Sequence, residues 1–325
     1  MRRGAQVLAE RLSAVPGPAD LLVATDMLDL PTFLALARRR LGTVPVLLYM
    51  HENQFTYPRL RGTKLNSWFG QINYLSALAA DAVAFNSAYH REDFLAALTA
   101  LAALPNNWLV PEAIETIAVK SFVLPLGLDL AALDQYRIDP SPGQRRIAWN
   151  HRWEFDKSPE MFARILERLA GEGLAFDVAV AGDPGPNPHP ALVELPARLP
   201  GRIAHHGFAA SLAEYARLLW SSDIAISTTR HEFFGIGMLE AQYCGCVPLA
   251  PAAFAYPELV PQSFHERCLF TSEVEATARL RDLLTAPLPP RDPLRASAAR
   301  FDWSRMAPKW DTALERVAGG SRAEA

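Results

Sequence analysis

Ser227-Thr-Thr-Arg-His-Glu-Phe-Phe-Gly-Ile-Gly-Met-Leu-Glu240 is the stretch that decides how the rest of the chain is read. It continues an apolar run of strand length, Ile224 to Ser227, and passes through Gly235 and Gly237 into a helical pattern. A strand, a glycine turn and a helix in that order leave free N–H groups and the positive end of the helix dipole at the turn, where they suit a phosphate. Glu232 stands on the loop before the turn and Glu240 lies one to two turns into the helix. Two carboxylates on either side of a phosphate seat can grip hydroxyls, a sugar on one side and a ribose on the other. A tight strand-to-helix turn with solvated glutamates is an equally good reading of this segment taken alone.

Outward from it, strand-length apolar runs alternate with helical patterns, the signature of parallel sheets built from βα units. The second half offers strands at Arg146 to Asn150, Phe176 to Ala181, Arg202 to His206, Ile224 to Ser227, Val247 to Leu249 and Cys268 to Phe270. The first half offers Leu21 to Ala24, Val44 to Tyr49, Ala82 to Phe85 and Lys120 to Leu124. Between them Asp134 to Arg146, with Pro140, Pro142 and Gly143, reads as an interdomain linker. The expectation is two α/β domains, residues 1–139 and 140–325, the second carrying a terminal helix over Pro293 to Ala318. A Rossmann-like domain ordinarily opens on a strand and a Gly-rich turn. This chain opens on an amphipathic helix, Met1 to Leu12, so the first domain is expected to lack its opening βα unit.

With 325 residues, half of them apolar and a fifth charged, the chain is neither disordered nor too short for two cores. A net charge of −3 excludes a bulk polycation, so any polyanionic partner must meet a local patch. Met1 to Lys64 supplies one candidate, with nine basic against five acidic residues, including Arg38-Arg39-Arg40, Arg59, Arg61 and Lys64. A solvated face, or cations that complement the end of a helix, is the plainer reading of the triplet. Cys244, Cys246 and Cys268 fit a reducing compartment and buried structural roles. The longest apolar runs, Ala96 to Pro111 and Ala241 to Pro257, are interrupted well short of a membrane span, and Glu10 and Arg11 interrupt any signal-peptide core. A cytoplasmic protein is expected.

Two further clusters sit directly after predicted strands. Trp149-Asn-His-Arg-Trp-Glu-Phe-Asp-Lys157 carries Arg152 and Lys157, two cations able to offset charge on a departing nucleotide without a metal ion. Ion pairs with Glu154 or Asp156 are the alternative. Tyr49-Met-His-Glu-Asn-Gln-Phe-Thr-Tyr-Pro58 lies at the carboxyl end of a strand, the edge where open α/β sheets bind ligands. His51 there suits acid/base work or a hydrogen bond to a reacting hydroxyl, with a structural histidine as the alternative. His205-His206 makes a weak metal candidate, since neighbours on a strand point to opposite faces.

These clusters together resemble the retaining GT-B glycosyltransferases that use nucleotide sugars. Arg152 and Lys157 have the spacing of that family's diphosphate-binding pair, Val180-Ala-Gly182-Asp183 looks like its strand-end turn, and His206-Gly207-Phe208 its turn near the nucleotide base. Glu232 and Glu240, with seven residues between, match its paired-glutamate signature. More narrowly, His51-Glu-Asn-Gln-Phe-Thr-Tyr-Pro58, Ala24-Thr-Asp-Met-Leu-Asp-Leu-Pro31, Asn150 to Lys157 and His231-Glu-Phe-Phe-Gly235 resemble the tRNA-queuosine mannosyltransferase group.

That resemblance implies a GT-B fold of two Rossmann-like domains facing a cleft, and transfer of mannose from GDP-mannose to queuosine in tRNA with retention. It implies that Arg152, Lys157, Gly182, Gly207, Phe234, Gly235, Ile236, Gly237 and Glu240 hold the donor. His51 and Glu232 become the catalytic candidates, and Glu52, Asn53 and Gln54 stand on the acceptor side. No cofactor and no metal are implied. Two other readings share the same motifs: a GT-B enzyme acting on another small-molecule or lipid acceptor, and a non-catalytic nucleotide- or tRNA-binding homologue.

Overall fold

The computed structural model describes residues 3–58, 67–105, 107–138 and 143–320. Among the described residues ten strands run as β1 Leu22–Thr25, β2 Val46–Met50, β3 Ala82–Phe85, β4 Ser121–Val123, β5 Arg146–Trp149, β6 Asp177–Ala181, β7 Ile203–Gly207, β8 Ile224–Ile226, β9 Val247–Pro251 and β10 Leu269–Phe270. The helices of the first part are α1 Gly4–Ser13, α2 Leu30–Leu41, α3 Ser67–Ala79, α4 Ala88–Ala102 and α5 Pro111–Val119. Those that follow are α6 Pro159–Gly171, α7 Pro190–Val193, α8 Leu195–Arg198, α9 Leu212–Trp220, α10 Ile236–Tyr243, α11 Tyr256–Leu259, α12 His265–Cys268, α13 Glu273–Thr285, α14 Arg291–Ala299 and α15 Trp303–Gly320.

The chain divides into two compact units, Met1–Leu126 with Met306–Ala325, and Gly127–Arg305. The first holds a four-stranded parallel sheet in the order β1-β2-β3-β4. Strand β2 is buried along its whole length, and its alternation serves two cores. Leu48 and Met50 face Phe33, Phe94 and Leu98 on one side, whereas Leu47 and Tyr49 face Ala313 and Val317 of α15 on the other. Polar bonds support that second face: Tyr49 OH donates to Leu124 O (2.8 Å) and Trp310 Nε1 to Pro125 O (2.9 Å).

This packing corrects the expected division at residues 139 and 140. The end of the terminal helix belongs to the first unit because its apolar stripe covers the exposed face of that sheet. The expected helix over Pro293 to Ala318 is two helices, α14 and α15, separated at 300–302. The expected linker is also corrected over its described part. Asp134 accepts from Arg295 (2.6 Å) and from Tyr243 OH (2.8 Å), and Arg137 lies over the Trp220 ring (5.0 Å), so the chain before Arg137 is packed into the second unit. Pro140 and Pro142 lie outside the described residues.

The second unit is a six-stranded parallel sheet in the order β10-β9-β8-β5-β6-β7. Its first strand, β5, is central, flanked by β6 on one side and β8 on the other. The strand order reverses between them, and the crevice at the carboxyl ends of such a pair is where doubly wound sheets take ligands. Both notable clusters of this unit, the exits of β5 and β8, open there. All three cysteines are buried, as expected.

Candidate active site

The exit of β5 is tied to the start of α10 by a polar chain. Asn150 Nδ2 donates to Gly237 O (2.7 Å) and to Tyr215 OH (2.9 Å), and Tyr215 OH donates to Glu240 Oε2 (2.6 Å). Close approach of backbones explains two glycines. A Cβ on Gly182 would sit 1.8 Å from His151 O, and one on Gly237 would sit 2.9 Å from Asn150 O. Gly235, at φ +88°, turns the chain into α10 in the left-handed region that glycine adopts without strain. Gly207 also has positive φ but meets nothing near its Cβ position, so it is needed for conformation rather than for space.

Lys157 is the best-defined cation at this edge. Its Nζ lies 3.2 Å from Asp156 Oδ2 and 3.5 Å from Glu232 Oε2, with its side chain 13% exposed. Burial works against its charge, but Glu232 and Asp156 outweigh it and hold the ammonium above the usual lysine pKa. Glu232 is bound at its other oxygen as well, since Oε1 accepts the N–H groups of Phe234 (3.3 Å) and Gly235 (3.0 Å). The first turn of α10 beyond it, from Ile236, has no side-chain cap, so its N–H groups remain open to an anion.

Five buried side-chain atoms within nine residues lack a hydrogen-bond partner: Asn150 Oδ1, His151 Nε2, Trp153 Nε1, Asp156 Oδ1 and Ser158 Oγ. Buried polar groups are almost always paired. Their concentration where β5 ends makes this edge the candidate seat for a polar ligand. Burial, aided by the charge of Lys157, lowers the His151 pKa to about 3, so its imidazole is neutral throughout the physiological range.

The remaining candidates divide. Arg152 is exposed and paired with Glu154 (3.0 Å), the ion-pair alternative weighed for it in the sequence. Burial raises the pKa of Glu240 while the Tyr215 bond opposes the rise. The Phe234 ring is buried edge-on against Phe301 (5.5 Å), away from any ligand at the turn. Asn150, His151 and Tyr215 were not among the expected residues. The first two sat in view within the Trp149 to Lys157 segment, but Tyr215 has no local signal, since its role depends on α9 packing beside α10.

In the first unit His51 follows β2, exposed and edge-on to Tyr49 (5.0 Å), with partial desolvation lowering its pKa. Gln54 Nε2 donates to Glu52 Oε2 (3.0 Å). Asn53 is corrected as an acceptor-side residue. Its side chain is fully buried, donating to Asp93 (2.7 Å) and accepting the N–H of Phe55 (3.0 Å), so it shapes the loop and has nothing to offer a substrate. Arg40 donates to the carbonyls of Val15 and Gly17, a structural tie, while Arg38 and Arg39 are exposed. Arg59, Arg61 and Lys64 lie outside the described residues. Among the described residues no three His, Cys, Asp or Glu side chains gather to hold a metal, and no helix is long and apolar enough to cross a membrane.

Two parallel-sheet units, one with a candidate anion seat at its topological switch point, have the architecture of the GT-B glycosyltransferases. Solved structures with this fold include sucrose-phosphate synthase from Thermosynechococcus elongatus (14% identity, TM-score 0.74, covering 98% of this chain and 78% of that one). An α,α-trehalose-phosphate synthase from Burkholderia vietnamiensis is similar at 14% identity and TM-score 0.74, covering 98% and 76%. Residues 1–128 match the family described as tRNA-queuosine alpha-mannosyltransferase N-terminal, and residues 145–285 match glycosyl transferases group 1. The chain is 30% identical over 249 residues to a tRNA-queuosine alpha-mannosyltransferase of Drosophila melanogaster, spanning 74% of this chain and 66%, just under two thirds, of that protein. The chain thus carries, in order, a segment that matches the N-terminal model of the tRNA-queuosine alpha-mannosyltransferases and one that matches the group 1 glycosyl transferases.

Proposed function

We propose that this protein is a cytoplasmic retaining glycosyltransferase that moves mannose from GDP-mannose to queuosine in tRNA. The observation that carries the reading is the convergence at the exits of β5 and β8 of Lys157, Glu232 and the uncapped start of α10, beside a run of buried polar atoms without partners. The Drosophila relative named for that reaction supplies the acceptor class.

In this reading the diphosphate lies against Lys157 and the N–H groups from Ile236 onward, with Arg152 swinging from Glu154 to join it. Glu240, its Oε2 held by Tyr215, takes the ribose, and Glu232 exchanges a present partner for the sugar hydroxyls. As the bond between the anomeric carbon and phosphate oxygen breaks, these cations and N–H dipoles stabilise the departing charge. The acceptor hydroxyl attacks from the same face and its proton passes to the departing phosphate. His51 and Glu52 serve the acceptor side, and exposed Arg38 and Arg39 offer a local patch for RNA phosphates. No cofactor is required, so EDTA should leave the rate unchanged.

The test is to incubate the purified protein with GDP-mannose and tRNA that contains or lacks queuosine. Mannose on the queuosine-containing tRNA alone, with one GDP released per transfer, is expected. Absence of transfer, or equal labelling of both tRNAs, overturns the assignment and leaves another acceptor or a binding role.

A further inference from the structure

At the carboxyl end of β1 the side chain of Asp26 is 1% exposed. Its Oδ2 accepts the N–H of Glu52 (3.1 Å), and its Oδ1 is buried without a hydrogen-bond partner. Asn73 of α3 works beside it, donating from Nδ2 to Asp26 O (2.8 Å) and accepting the N–H of Gln54 at Oδ1 (3.1 Å). The segment that carries His51, Glu52 and Gln54 is therefore held at two peptide groups by two buried side chains. We propose that Asp26 is a positioning residue for transfer, its ionised carboxylate setting the turn that presents His51 and Glu52 at the edge of the first sheet. This rests on the reading of the first unit as the acceptor side.

The energetics favour a functional over a purely structural role. Burial raises the Asp26 pKa to about 6, and the N–H groups of Glu52 and His51 only partly oppose it. Of the groups around it, the β2 exit brings the Glu52 carboxylate, which raises the pKa further, and the titratable His51. Helix α3 brings the neutral Asn73 and Ser76, and Asp29 of its own segment is occupied capping α2. A carboxyl whose folded pKa exceeds its unfolded value loses stability for the protein as pH rises from the unfolded value to the folded one. The charge is thus kept at a cost in stability, the pattern of groups retained for function. Ionised, Asp26 makes a charge-assisted bond to the Glu52 N–H, and protonation weakens it.

Asp26→Asn keeps an acceptor for that N–H and removes the charge. The expected result is a kcat for mannose transfer lower by about 10- to 100-fold, as small misplacement of a reacting group allows. GDP affinity by calorimetry should be unchanged, and the acid limb expected near pH 6 in the wild type should be lost. The variant should melt no lower than wild type at pH 7.5. An unchanged kcat and pH profile, or a lower melting temperature, overturns the proposal. Hydrogen exchange on the wild type needs neither a variant nor turnover: protection of residues 50–57, corrected for intrinsic rates, should be lost between pH 7.5 and 5, and constant protection also refutes it. Wild-type protein that transfers nothing defeats the glycosyltransferase reading instead, while melting and exchange still decide the role of Asp26.

Discussion

Lys157→Met tests the centre of the proposed site. The substitution keeps the length and apolar stem of the side chain and removes only the charge that stands between Asp156 and Glu232. Asp156 is 2% exposed and Glu232 a fifth exposed at the side chain, so the variant leaves two carboxylates facing each other without a cation. Removing one partner of a buried ion pair costs about 3–5 kcal/mol, and the partial exposure of Glu232 argues for about 3. Loss of one electrostatic group at a departing charge lowers kcat by about 100- to 1,000-fold.

The pH dependence has a defined sign. A lysine whose folded pKa is raised stabilises the fold fully below its unfolded value of about 10.4, and that contribution is lost as pH rises through the folded pKa. Denaturant unfolding at pH 7.5, with transfer of labelled mannose to queuosine-containing tRNA, measures both effects. Wild-type stability at pH 7.5 together with turnover within about threefold would refute the reasoning, because a cation so placed cannot be idle if the donor phosphate lies there.

Gly182→Ala forces a Cβ to 1.8 Å from His151 O, a backbone atom that cannot step aside, and should cost at least about 3 kcal/mol in a thermal or denaturant melt. Tyr215→Phe removes the 2.6 Å bond to Glu240 and lets burial raise that carboxyl's pKa further. GDP affinity measured by calorimetry should fall by about tenfold or more, the worth of one hydrogen bond to a charged group. Glu232→Ala should abolish transfer with the circular dichroism spectrum of the fold retained, and Glu232→Gln, which still accepts the N–H groups of Phe234 and Gly235, should be the more stable of the two.

Much of this site was legible before any coordinates. Lys157, Glu232, Glu240 and the glycines around α10 were identifiable because strand, turn and helix follow one another within a few residues, and the backbone geometry of that unit is local. Strand β2 announced itself the same way, as an unbroken apolar run that only a strand covered on both faces can tolerate. Asn53 shows where such reading stops. Its place among polar residues at a sheet edge suggested a substrate, yet its amide is consumed by Asp93, forty residues away.

Reading along the chain was enough for two parallel α/β units, the order of their strands and the strand-turn-helix segment proposed as the anion seat, because hydrophobic period and turn chemistry act between near neighbours. Only the tertiary structure decided which polar groups are occupied and which are open, that Tyr215 belongs to the site, and that α15 closes the first unit. Those outcomes depend on contacts between residues far apart in the chain. Trp310 carries the same helical pattern whichever sheet it covers, and only packing against Tyr49 and Pro125 settles which.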